Sequence, residues 1–176
     1  MASNIQKYKK YRFIKQRDTF SCGPIAIINI YKWAGYLYSY KEVKYISKLI
    51  GTCPPHFVVG LTGTWSTPID QHLKKSKLIK YNGYKHGFDI NTLKNIDRHL
   101  DNNGCCLVNI YWKKNGGGHY FVIVGHTKTK YAVINYGAKM NTVALVDKKE
   151  IAMFMKNDVL DAEGFHPACT WFLNKL

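Results

Sequence analysis

The chain has 176 residues, 46% hydrophobic and 21% charged, a balance that suits one packed domain and excludes a disordered polypeptide. Lysine and arginine total 26 against 11 aspartate and glutamate, a formal charge of +15 that favours acidic partners. Its longest apolar runs, such as 24–30 and 120–124, fall far short of the roughly 20 residues that span a bilayer, and the basic opening MASNIQKYKKYRF leads into no secretory signal, so the sequence predicts no membrane span and a cytoplasmic protein.

Residues 1–11 read as a basic N-terminal segment and 12–176 as one domain, without repeat, low-complexity stretch or linker. Residues 22–34, CGPIAIINIYKWA, predict a largely buried helix in which Pro24 is tolerated in the first turn and Gly35 ends the element. Ser39 and Glu42 form a capping box for a second helix running to about Leu49, with Gly51 as its stop. Thr67 and Pro68 announce a third through IDQHLKKSK, and Asp89 or Asn91 caps a fourth that lines up Leu93, Ile96 and Leu100 and ends at Gly104. Beyond Gly104 the pattern turns to strands: CLVNIYW, a glycine-rich turn over 115–118, HYFVIVGH, a turn at TKTK, and YAVINY. TVALVD adds a strand, Asp147 caps a short helix KKEIAMFM, and ACTWFL closes the chain as another strand. The fold class is therefore α+β, with N-terminal helices packed on a C-terminal antiparallel sheet.

The five cysteines, Cys22, Cys53, Cys105, Cys106 and Cys169, are odd in number and show no short-spaced metal or dithiol pair, which implies a reducing compartment and no metal or other cofactor. Cys105 and Cys106 sit in an apolar run, one facing inward and one outward, and read as structural. Arginine, the preferred reader of phosphates and base edges, is confined to Arg12, Arg17 and Arg98, so a nucleic-acid partner is the weaker account of the charge.

Chemistry concentrates at Cys22. A thiol attacks as thiolate, and the start of a helix lowers its pKa; Gly23 permits close passage of a substrate backbone, and Pro24 leaves no N–H to satisfy. The alternative is a buried structural cysteine. The base must be an imidazole brought from elsewhere, and His119 is the best placed of seven, since it follows Gly116–Gly118 and opens the strand YFVIV. Alternation sets His119, Phe121 and Ile123 on one face and His126 on the other, while His56, His72, His86, His99 and His166 read as structural or solvated. Asn135, near the end of the next strand, is brought toward His119 by the TKTK hairpin and can orient its ring; taken alone it also reads as a turn residue ahead of Gly137. The Cys22 amide and the Gln16 side chain, six residues earlier, can receive an oxyanion.

Together QRDTFSCGP, GGGHYFVIVG and INY resemble the papain-like cysteine peptidase superfamily, and most closely the bacteriocin-processing (double-glycine leader) peptidase family. The resemblance covers about residues 12–174 and implies a papain-like fold in which Gln16, Cys22, His119 and Asn135 stand in the family's order, with 63–79 as the helix that prepares the substrate cleft. Asn135-Tyr136 stands where that family usually has Asp-Pro, and no transporter segment accompanies the domain, so the leader-cleaving role is not carried over. The expectation is a stand-alone cytosolic thiol hydrolase that cleaves an acidic peptide or protein through a Cys-His-Asn triad. Two alternatives stay open: deamidase- or transglutaminase-like acyl transfer on the same residues, and a non-enzymatic basic binding or inhibitor protein on an inert scaffold.

Overall fold

The computed structural model describes residues 12–52, 64–112, 117–137, 142–156, 159–161 and 164–176. Helix α1 (Cys22–Ala34) runs through its centre, and of its residues only Lys32 and Ala34 escape burial. That all-round apolar sequence demands cover on every side. Gly35 closes the helix in the left-handed region, φ 112°, its N–H reaching the Lys32 and Tyr31 carbonyls.

Helices α2 (Glu42–Leu49) and α3 (Ser66–Lys75) bring Val43, Ile46, Ile69 and Leu73 to the same core. Of the expected capping box the Glu42 half forms, Oε2 accepting from the Ser39 N–H and hydroxyl at 2.7 Å each, while Lys41 and not Ser39 stands at the N-cap. Helix α3 starts at Ser66, just ahead of the expected Thr67–Pro68 signal, with Trp65 at its N-cap.

Strands β1 (Ile79–His86), β2 (Cys105–Trp112), β3 (Gly117–His126), β4 (Lys130–Ile134), β5 (Ala144–Asp147) and β8 (Cys169–Lys175) build one antiparallel sheet in the order β1-β8-β2-β3-β4-β5. Strands β6 (Val159–Asp161) and β7 (Gly164–His166) form a separate hairpin. Pleating directs Leu107, Val122, Ile134 and Trp171 toward α1. Cys106, Val108, Phe121 and Val133 point the other way, into a second core closed by α4 (Thr92–Asp101) and α5 (Lys148–Met155). The expected α+β architecture is present, with helices on both faces of the sheet. Among the described residues no helix is long and apolar enough to cross a membrane.

Three local expectations change. Cys105 and Cys106 do face opposite ways, yet both are fully buried because the sheet is covered on both faces. β1 was not expected as a strand: its IKYNGYKH sequence is held at the sheet edge by β8, across a register shift between Tyr81 and Gly83. A second register shift, between Ile123 and Gly125, resets the alternation in β3. It carries His126 to the side of Phe121 and Ile123, where its Nε2 meets Asp101 Oδ1 of α4 at 3.0 Å.

Candidate active site

The approach to α1 is held from two directions. Asn29, buried in mid-helix, accepts the Ile14 N–H at 2.8 Å and donates to the Ile14 carbonyl at 2.9 Å, so one amide side chain fixes the segment that carries Gln16. Asp18 then turns the chain, its Oδ1 accepting from Phe20 N at 3.0 Å and Ser21 N at 2.7 Å. Ser21 is the residue ahead of the helix, and its carbonyl receives the Ile25 N–H at 3.0 Å, which leaves Cys22 as the first helical residue. Gln16 is buried beside this turn in sequence, and its Oε1 has no hydrogen-bond partner among the described residues.

Gly23 owes its identity to packing. A Cβ there would lie 2.9 Å from both Cβ and Oγ1 of Thr64 and 3.2 Å from Ile69, so the expected opening for a substrate backbone is, on that side, a tight internal contact. Thr64 is in turn fixed by the Tyr120 hydroxyl, which donates to its carbonyl at 3.0 Å, and by Thr52 Oγ1 at 2.7 Å.

The buried Cys22 thiol meets the backbone N–H groups of Tyr120, Gly23 and Cys22 itself. The Tyr120 N–H belongs to the peptide bond joining His119 to Tyr120. The sulfur therefore lies beside the start of β3, next to the peptide bond that follows His119. Burial raises the thiol's pKa and outweighs those three N–H donors, with the Asp18 carboxylate adding to the rise. The expected lowering of the thiol's pKa at a helix start is thus outweighed, because the helix end is buried along with the sulfur.

His119 Nε2 lies 2.5 Å from the backbone carbonyl of Asn135. A carbonyl only accepts, so Nε2 carries the proton and, in the neutral ring, Nδ1 holds the lone pair. Burial lowers the pKa of His119, and the Asn135 carbonyl partly restores it. Asn135 occupies the left-handed region at φ 62°, which directs its carbonyl to the ring, while its side-chain Nδ2 donates to the Tyr120 carbonyl at 3.0 Å. Contact with the histidine therefore runs through the main chain of Asn135 instead of the expected side chain, whose Oδ1 is buried without a partner among the described residues.

Asp18, Asn29, Thr64 and Tyr120 escaped the sequence reading. A polar amide in the middle of an apolar helix was the available signal for Asn29, since a buried amide must find partners. Of the other histidines, His72 Nε2 lies 2.8 Å from the Tyr31 hydroxyl and His99 donates to the Leu173 carbonyl at 3.0 Å, both structural as expected. His56, Cys53 and residues 115–116 of the expected glycine-rich turn lie outside the described residues, as does the His166 side chain, while Gly117 and Gly118 of that turn already belong to β3. Among the described residues no three His, Cys, Asp or Glu side chains gather as a metal would require.

The fold is the papain-like α+β fold of C39 peptidase domains. The chain is similar to the peptidase domain of Streptococcus ComA, a bi-functional ABC transporter involved in a quorum-sensing pathway, at 18% identity and TM-score 0.58 over 94% of this chain and 99% of that one. It is also similar to a C39-like peptidase from Bacillus anthracis, at 13% identity and TM-score 0.61 over 93% and 94% of the two chains. No family model and no curated protein matches the sequence.

Proposed function

We propose that this chain is a cysteine peptidase of the papain-like kind in which Cys22 is the nucleophile and His119 its base. The observation that supports this most is the Tyr120 N–H against the Cys22 thiol, together with a His119 tautomer whose Nε2 proton is committed to Asn135. In this reading the imidazole reaches the sulfur around the start of β3, Nδ1 takes the thiol proton, and the thiolate adds to a peptide carbonyl. The tetrahedral oxyanion is received by the Cys22 N–H and the Gln16 side-chain amide. Collapse breaks the C–N bond, and the imidazolium returns its proton to the departing amine. A water, deprotonated by His119, then splits the thioester to free the acid and regenerate the thiol. Asn135 orients the ring through its carbonyl and anchors the Tyr120 peptide through its amide.

The charge of +15 supports an acidic peptide or protein as substrate, and the four described cysteines, all free, fit a reducing, cytoplasmic setting. The test is cleavage of acidic peptides in heavy-oxygen water, read by mass spectrometry. Hydrolysis places one heavy oxygen in the new carboxylate, and Cys22→Ala abolishes it. Transfer of the acyl group to an added amine without label assigns the alternative acyl-transfer chemistry, and turnover that survives Cys22→Ala removes the proposal.

A further inference from the structure

One exposed surface remains unexplained by peptide cleavage. The turn after α1 and the outer side of α2 expose Leu37 at 99%, Tyr45 at 64%, Leu49 at 52% and Tyr36 at 38%, on a stretch of fifteen residues, 35–49. Tyr45 and Leu49 are one helical turn apart and share a face. Lys41, Lys44 and Lys48 stand exposed between these apolar groups, and none forms an ion pair among the described residues. Glu42, the sole acid in the stretch, is held by Ser39.

Scattered exposed leucines need no explanation, but clustered ones rimmed by one sign of charge mark an interaction site. We propose that this surface docks on an anionic phospholipid membrane, with Leu37 entering the acyl boundary, Tyr36 and Tyr45 at headgroup depth, and the three lysines against lipid phosphates. The chemistry favours lipid over a folded acidic protein. Lysine is a mobile point charge suited to a fluid array of headgroups, tyrosine suits an interface with one wet side, and a leucine projecting wholly into solvent needs a yielding apolar phase. This attachment is peripheral and independent of the chemistry at Cys22.

The test is co-sedimentation of the full chain with vesicles of phosphatidylcholine alone or mixed with phosphatidylglycerol, at low and high salt. Binding is expected only to the mixed vesicles and weakens with salt. At roughly fivefold per lysine near a charged surface, the triple variant Lys41→Gln/Lys44→Gln/Lys48→Gln binds about a hundredfold more weakly. Leu37→Asp weakens binding by about tenfold or more through lost apolar burial. A control with equal charge removal, Lys128→Gln/Lys130→Gln/Lys149→Gln, alters the β3–β4 turn and α5, which covers the opposite sheet face, and keeps binding within about threefold. Circular dichroism and Cys22 alkylation stay unchanged in all three. Failure to bind the mixed vesicles, equal loss in the control, or indifference to Leu37→Asp overturns the proposal. So does a self-associated species that Leu37→Asp disperses while vesicles stay unbound, which would assign the surface to a second copy of the chain.

Discussion

Burial and hydrogen bonding pull the Cys22 thiol in opposite directions, and burial is the larger. Asp18 adds to the rise through its charge while shaping the turn through its oxygen, and the two roles separate by substitution. Asp18→Asn keeps an acceptor for the Phe20 and Ser21 N–H groups and removes the negative charge, so the pH profile of Cys22 alkylation moves to lower pH. An unmoved or rising profile contradicts this assignment. Asn29→Ala strips partners from both backbone groups of Ile14, an expected loss of about 2–4 kcal/mol in unfolding free energy read from urea titration. His72 and His119 are both held below the usual imidazole value by burial. As pH falls, the unfolded chain takes up protons that the folded chain resists, so their stabilisation is complete above the unfolded value and is lost as pH falls through the folded one. The urea midpoint should therefore drop between about pH 7 and about pH 5, and drop less in His72→Gln. A midpoint that rises on acidification contradicts the burial argument.

At the scale of elements, what could be read from the sequence was local. CGPIAIINIYKWA declares a helix by its continuous apolar content, and Ser39–Glu42 and the TKTK hairpin carry their own turn chemistry within a few residues. β1 was hidden because Asn82 and Gly83 interrupt its pattern, and its pairing with β8 joins residues about ninety apart. The side taken by His126 was misread because one extra residue in β3 flips the alternation, and no residue type announces a bulge there. The candidate site divides in the same way. Gln16, Cys22, His119 and Asn135 are candidates that motif and order suggest, whereas the clamp of Asn29 on Ile14 and the use of the Asn135 carbonyl depend on non-local backbone geometry. The bulge has its own consequence. It brings His126 beside α4 and the start of α5, where Lys148 Nζ reaches Asp97 Oδ2 at 2.6 Å and the His126 ring at 3.2 Å. Because Asp97 ties α5 to α4 in a partly buried setting, Asp97→Ala should cost about 1–3 kcal/mol, while Lys85→Ala, which breaks an exposed pair with Asp89, should cost less. Equal losses would remove the special role of the α4–β3–α5 contact.

At the scale of the whole molecule, two layers of helices hold the sheet, and the candidate cleft lies where the first turn of α1 meets the opening of β3. Under the proposed preference for acidic substrates, which rests on the net charge of +15, kcat/KM for an acidic peptide should fall about tenfold or more from low to high salt, while a neutral peptide changes little. Equal salt response of the two peptides would disconnect the charge from substrate choice. The central claim is that an imidazole delivered by one layer activates a thiol delivered by another. It is tested most directly by the rate at which iodoacetamide labels Cys22 near neutral pH, resolved peptide by peptide in the native protein and in His119→Ala. The account predicts that Cys22 outpaces the buried Cys105, Cys106 and Cys169 and that His119→Ala slows it by about tenfold or more. Labelling of Cys22 at the same rate with and without the imidazole would contradict it.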